Sequence, residues 1–177
     1  KWALAYHGRA DAYKEQKRYK KALEDYSNAI KLSPKDPFKY YARAITYIDQ
    51  GGYTPAMEDL TKAISLKKDY EDFYLRRAHC YMQTYKYRLA LTDFQKIKKT
   101  DTRFWQAQAF YELHDYNTAY GLFKELSKEN PADTQVLLYL GKINHNKEFY
   151  DEAISYYSRI LNLEPDNSQA LRERAKA

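Results

Sequence analysis

The chain is poor in the residues that build disulfide frameworks, glycine-rich loops and membrane spans. It has one cysteine, five glycines and five prolines among 177 residues. A single cysteine excludes an internal disulfide framework, and so few glycines leave no glycine-rich phosphate-binding loop. No stretch approaches the roughly 20 consecutive apolar residues that cross a bilayer. The sequence begins Lys-Trp-Ala, with neither an initiator methionine nor a leader, so we expect a segment of a longer protein.

Residues that carry chemistry are scattered. The four histidines have no partner at the spacing of zinc ligands, so we expect neither a metal nor a cofactor. Cys80 is expected to be a small buried thiol. Acidic residues such as Asp25 and Asp59 are expected at ordinary helix-surface positions, and no nucleophile stands in a recognisable catalytic setting, which predicts that the chain is not an enzyme. The histidines are His7, His79, His114 and His145.

The composition is basic and rich in tyrosine, with a net charge of +6 and 20 tyrosines. Tyrosine suits the boundary of a thin core, because its hydroxyl can stay in water, so we expect most of them to be structural. The charge permits an acidic partner without requiring one. A basic run between residues 14 and 21 is interpreted as a solvated turn in preference to a contact with such a partner. The run contains Lys14, Lys17, Arg18, Lys20 and Lys21.

A tyrosine followed three residues later by an alanine recurs five times, with steps of 34, 34, 29 and 34 residues between the alanines. A period of this length is typical of stacked helical repeats. Within each unit, large and small residues recur at spacings of three, four and seven, which is one face of an α-helix. Turn signals divide each unit into a first helix, a tight turn and a second helix. The pairs are Tyr19/Ala22, Tyr53/Ala56, Tyr87/Ala90, Tyr116/Ala119 and Tyr150/Ala153.

Together these columns resemble the tetratricopeptide repeat (TPR) family over nearly the whole chain. The resemblance implies an all-α fold, a right-handed superhelical α-solenoid of about five helix-turn-helix units with a C-terminal capping helix. The predicted single array spans residues 1–177. Its units are 3–36, 37–70, 71–102, 103–133 and 134–167, and 168–177 starts a capping or sixth-repeat helix.

The sequence departs from the family pattern in two ways. The first three units carry arginine at the usual leucine position: Arg9, Arg43 and Arg77. The third unit lacks the terminal proline and the next step is five residues short, a loss that we place between residues 97 and 107. We therefore expect a short first helix that begins near Phe104 and Trp105.

In TPR proteins the first helix of each unit lines a concave groove, so its residues that point away from the second helix are candidate contacts. An apolar groove with a polar mouth suits an amphipathic helix or an extended peptide with hydrophobic anchors. The alternative is that these residues pack against neighbouring helices or a self-inserted tail. The candidates are Phe38, Tyr41, Ile45, Ile48, Leu75, Arg76, His79, Met82, Phe104, Gln108, Tyr111, Leu138, Tyr139 and Lys142.

One TPR subclass binds the C-terminal carboxylate of heat-shock chaperones through lysine, asparagine and arginine side chains. Of the corresponding positions only Arg76 matches, and Asp11 and Asp72 would repel a carboxylate. A chaperone carboxylate clamp is therefore disfavoured. The remaining corresponding positions are His7 and Ala42.

The resemblance favours a non-catalytic protein interaction scaffold: an adaptor, co-chaperone or assembly-factor module. Two alternatives stay open, a substrate-recruiting arm of a larger enzyme and a basic helical-repeat binder of nucleic acid. Nucleic acid is disfavoured, because the inner positions are apolar and variable. Self-association, the partner, the parent protein and the compartment stay open, with the cytoplasm favoured.

Overall fold

The computed structural model describes residues 2–177, and this range contains eleven α-helices and no β-strand. The helices are α1 (Trp2–Glu15), α2 (Tyr19–Leu32), α3 (Pro37–Asp49), α4 (Tyr53–Leu66), α5 (Glu71–Gln83), α6 (Tyr87–Phe94), α7 (Arg103–Glu112), α8 (Tyr116–Glu129), α9 (Thr134–Asn146), α10 (Tyr150–Leu163) and α11 (Ser168–Arg174). The predicted all-α class is confirmed.

The chain forms two compact units, residues 1–100 with α1 to α6 and residues 101–177 with α7 to α11. Within each unit, every helix packs against the next one along the chain. Each predicted repeat range therefore holds one helical hairpin. That the whole chain is a single array stays a prediction.

Small residues allow the two helices of each hairpin to approach closely. The alanine that follows each repeated tyrosine is fully buried in all five hairpins. In the fifth hairpin, a Cβ added to Gly141 would lie 2.4 Å from Cε1 of Tyr157, whose side chain is itself fully buried. The large residue seven positions after each repeated tyrosine fills the space beside this contact. These large residues are Tyr26, Leu60, Phe94, Phe123 and Tyr157.

The turns inside the hairpins share one backbone geometry. Each has one residue in the left-handed region, at φ between 57° and 75°. The amide that follows this residue donates to a carbonyl five positions earlier, at 2.8 or 2.9 Å in each hairpin. This hydrogen bond pattern at the end of a helix usually has glycine as its left-handed residue. Among the five hairpins, only the second has glycine there. The five residues are Lys17, Gly51, Tyr85, His114 and Glu148.

Two acidic residues that were predicted at the helix surface are buried, so this prediction is wrong. Asp25 and Asp59 have 4% and 6% of their surface exposed. Both oxygens of each carboxylate accept hydrogen bonds from one arginine guanidinium, Arg9 or Arg43. A buried carboxylate is tolerated here because its negative charge is paired and its oxygens are satisfied. Asp93 is held in the same way by Arg77.

The shortened repeat has both of its flanking helices reduced. Helix α6 has 8 residues, whereas α2, α4, α8 and α10 each have 14. Helix α7 has 10 residues and begins at Arg103, which agrees with the predicted short helix. The loss begins earlier than predicted, because α6 ends at Phe94 and not beyond Ile97. Tighter turns follow it, since the amide of Ile97 donates to the carbonyl of Phe94.

Helix α11 covers the fifth hairpin less extensively than predicted. The side chain of Asn167 caps it by accepting from the amide of Ala170 at 2.9 Å. Of the three residues predicted to form its apolar face, only Ala170 is buried. Leu171 is 43% exposed and Ala175 is exposed. The helix has seven residues, which is about two turns, too few to bring all three against α10.

Candidate protein interaction surface

In the first unit, part of the predicted groove forms a shallow cavity beside α3 and α5. Its volume is about 260 Å³. Three of its six lining residues, Ile48, Arg76 and His79, were predicted as groove residues. The lining also includes Tyr53, Cys80 and Gln83. The remaining aliphatic candidates of this unit are half-buried, so they keep accessible surface. They are Ile45, Leu75 and Met82.

Two aromatic candidates also pack against the neighbouring repeat. The rings of Phe38 and Tyr41 lie 5.7 and 5.3 Å from the ring of Phe73, between centroids. Tyr41 donates its hydroxyl hydrogen to the carboxylate of Asp72. Burial and this hydrogen bond raise the pKa of Tyr41 to about 12. Tyr41 therefore packs against a neighbouring helix, which is the alternative to a role in the groove. Phe38 keeps 41% of its surface exposed.

The charged and titratable groups of the cavity differ in exposure and in protonation state. Arg76 lies 3.5 Å from Asp72 and keeps 47% of its side chain exposed, so its guanidinium is accessible to a ligand. Burial, and then the nearby Arg76, lower the pKa of His79. Burial raises the pKa of the Cys80 thiol to about 11. At neutral pH His79 is therefore neutral and Cys80 is a protonated, unreactive thiol.

The candidates of the second unit form an aromatic cluster. Tyr139 stacks on the buried ring of Phe123 with centroids 4.8 Å apart and planes within 8°. Phe104 contacts both rings, and Tyr111 contacts Tyr139 at 5.3 Å. Leu138 is only 5% exposed and belongs to the hydrophobic core. Its prediction as a surface contact is wrong, because α9 is buried on more than one face.

Polar candidates border this cluster. The Nζ atom of Lys142 lies 5.5 Å from the centre of the Tyr139 ring. Asn146 donates to the hydroxyl of Tyr111 at 3.2 Å. Gln108 is half-buried on α7. The second unit thus presents amide and ammonium donors beside aromatic rings, whereas the first presents aliphatic side chains beside Arg76.

The groove candidates omit three residues of the cavity in the first unit: Tyr53, Cys80 and Gln83. Tyr53 is one of the repeated tyrosines that define the period. A position that recurs in every repeat indicates packing between helices, and it gives no sign that the side chain also lines the cavity. Between residues 2 and 177 no group of three or more histidine, cysteine or acidic side chains is arranged to hold a metal. Nor does this range contain a helix with the length and apolarity that a membrane span needs.

Family models match most of the chain. A TPR repeat model matches residues 10–51, and tetratricopeptide repeat models match residues 40–70 and 106–170. The hairpins, the buried alanines and the shared turn geometry agree with these matches. The chain belongs to the tetratricopeptide repeat family. No curated protein matches it significantly.

Solved structures share the fold at low sequence identity. YrrB, described as a TPR protein with an unusual peptide-binding site, is 20% identical with a TM-score of 0.85, over 98% of this chain and 92% of that one. A tetratricopeptide repeat protein from Parabacteroides merdae is 17% identical with a TM-score of 0.86, over 98% and 71%. MamA from Desulfovibrio magneticus RS-1 is 16% identical with a TM-score of 0.85, over 95% and 98%. TPR repeats are generally non-catalytic scaffolds for protein interactions, and the fold of this chain is that of such a scaffold.

Proposed function

We propose that this chain is a non-catalytic interaction module that holds a peptide or helix of a partner protein on the inner surface of its first helices. The observation that carries the proposal is the cavity beside α3 and α5, where Ile48, Tyr53 and Cys80 stand next to the exposed guanidinium of Arg76. Apolar pockets with a few polar groups are the usual form of peptide sites. The peptide-binding site described for YrrB supports the same class of ligand.

The test is a selection of random 12-residue peptides displayed on phage, carried out with the chain immobilised. The groove variant combines Ile48→Gln, in the lining of the cavity, with Met82→Gln, and it leaves the packed Tyr41 intact. The control variant combines Leu32→Gln and Leu89→Gln, at leucines that are 55% and 48% exposed on second helices. Circular dichroism verifies that all three proteins keep their helicity.

We expect peptides selected on the wild type to bind the control variant equally and the groove variant at least about tenfold more weakly, because the anchors lose buried apolar area. Equal binding to the groove variant would contradict the assignment of the surface. A wild type that selects no peptide would contradict the function itself.

A further inference from the structure

The positive charge of the chain is concentrated in its first unit. Residues 1–100 contain 21 lysines and arginines against 12 acidic residues, whereas residues 101–177 contain 9 against 12. Five ion pairs of the first unit neutralise five basic and five acidic side chains. The excess positive charge is therefore carried by basic side chains outside these pairs. The pairs are Arg9–Asp25, Lys39–Asp36, Arg43–Asp59, Arg76–Asp72 and Arg77–Asp93.

The turn between α1 and α2 has the densest share of this excess. Residues 14–21 contain five cations and one acidic residue. The corresponding turn of the second hairpin, residues 48–55, has a single charged residue, and it is acidic. Residues 111–118 and 145–152, the corresponding turns of the second unit, each have a net charge of −2. The turn of the third hairpin, residues 82–89, has two cations and no acidic residue, a net charge of +2. Basic turns are therefore not a general property of the repeat, and the turn between α1 and α2 has the highest net charge of the five, at +4.

Helix electrostatics accounts for Lys14, in the last turn of α1, but not for the two lysines near the start of α2. Lysines near the end of a helix favourably oppose its dipole, but Lys20 and Lys21 lie in the first turn of α2, at its positive end. That turn has no acidic residue and no side-chain cap. Contacts with the Tyr13 ring at 4.7 and 5.7 Å position Arg18 and Lys21 but leave their charges unneutralised. Lys20 and Lys21 thus stand at a helix end that disfavours cations, and such a local departure from favourable placement is expected at functional surfaces.

The cations surround a shallow depression of about 380 Å³. Besides the cations it is lined only by Tyr19 and Gln50, and no acidic side chain contributes. Gln50 follows the last turn of α3, two residues after Ile48, which lines the cavity of the proposed groove. The basic depression and the groove cavity thus lie on either side of the same helix end. A segment that crosses the C-terminal end of α3 would contact both. The cations are Lys17, Arg18, Lys20 and Lys21.

We propose that the partner segment is acidic, with an apolar side chain in the cavity beside Ile48 and aspartate or glutamate residues against the basic turn between α1 and α2. This rests on the proposed function and adds the charge of the ligand to it. Complementary charge at the edge of an apolar site steers association and selects against basic competitors. Long, exposed lysine side chains suit carboxylates on a flexible segment, because they need no fixed geometry.

The same peptide selection tests the inference when two further variants are added. The turn variant carries Lys17→Glu, Arg18→Glu, Lys20→Glu and Lys21→Glu. A matched control makes the same change of net charge at four exposed lysines of the unit that lie away from this turn. The turn variant places acidic groups at the start of α2, so weaker binding would not reflect loss of the helix. The control substitutions are Lys35→Glu, Lys62→Glu, Lys96→Glu and Lys98→Glu.

We expect peptides selected on the wild type to be enriched in aspartate and glutamate within a few positions of their apolar anchor. Their affinity should fall about tenfold in the turn variant and much less in the matched control, and raising the salt concentration should reduce the difference.

Several outcomes would overturn the inference. Selected peptides that depend on the groove but lack acidic enrichment would contradict it and leave the proposed function standing. The absence of any groove-dependent peptide would contradict both. Equal weakening by the two charge variants would show that only net charge matters. A fluorescent 20-residue oligouridine that binds more tightly than the peptides, and is lost in the turn variant, would assign the turn to nucleic acid.

Discussion

The buried ion pair of the second hairpin allows a quantitative test of how the repeats are stabilised. The Nε and Nη2 atoms of Arg43 donate to Asp59 at 2.7 Å each, and only 21% of the Arg43 side chain is exposed. Asp59→Ala would leave this guanidinium largely buried without a carboxylate. Breaking a buried pair costs 3–5 kcal/mol, and we expect about 3 kcal/mol here. The value is at the lower end because Nη1 keeps its hydrogen bond to Ser27, at 2.9 Å.

The first hairpin provides a matched control. Arg9 makes the same two bonds to Asp25, but 58% of its side chain is exposed. Asp25→Ala should therefore destabilise the chain clearly less than Asp59→Ala, because the freed guanidinium turns into water. A double substitution, Arg43→Leu with Asp59→Leu, should recover most of the loss, since both buried charges disappear together.

The measurement is urea unfolding followed by circular dichroism at 222 nm, with the slope compared between variants. Stacked repeats can unfold in parts, so a changed slope would show that a variant has uncoupled neighbouring repeats. Equal losses from Asp59→Ala and Asp25→Ala would refute the reasoning from burial. A double variant no more stable than Asp59→Ala would show that packing volume, and not the unpaired charge, dominates.

Two further predictions concern backbone and packing, and both are measured as shifts in the unfolding midpoint. Glu148→Gly should stabilise the chain by about 0.5–1 kcal/mol and Gly51→Ala should destabilise it by about as much, because both residues lie at positive φ. If Glu148→Gly destabilises the chain, the strain of glutamate at positive φ is smaller than the conformational entropy that glycine adds to the unfolded state. Gly141→Ala should destabilise by about 1–3 kcal/mol, since the new Cβ would lie within 2.4 Å of Tyr157. The control Gly121→Ala meets no atom within 4 Å in α8 and should stabilise by up to about 1 kcal/mol; opposite signs for the two glycines are required.

The periodicity of the sequence predicted the hairpins well because it records the closest contacts. Where two helices cross, only a small side chain fits, so each repeat must keep alanine or glycine in the same column. The complete burial of Ala56, Ala90 and Ala119 follows from this constraint. Helix ends were predicted less well where the pattern was irregular. After Phe94 the chain leaves the helix although Ile97 remains buried.

Burial of charge could not be deduced from residue type. An isolated buried carboxylate is costly, so residue type alone favours the surface for Asp59. Arg43, 16 positions earlier on the facing helix, supplies the charge that makes burial possible. The spacing recurs three times in the sequence and was the available signal. The groove candidates failed for a similar reason at Leu138, where periodicity identifies a helix face but not how much the neighbouring helices cover.

At Ser27 and Lys124, the position eight residues after the repeated tyrosine lies on the second helix of its hairpin. In both units its side chain forms a hydrogen bond to a neighbouring repeat, with different chemistry. In the first unit, Arg43 reaches back to the Ser27 hydroxyl while it holds Asp59. A shift of α3 along α2 would separate the guanidinium from the hydroxyl and strain its bonds to the carboxylate. In the second unit, Lys124 occupies the place of Ser27 and donates to the Tyr156 hydroxyl at 3.1 Å. The direction of donation is reversed, and the partner lies on the second helix of the next repeat and not on its first helix. The same position of the second helix therefore holds neighbouring repeats together through different partner helices.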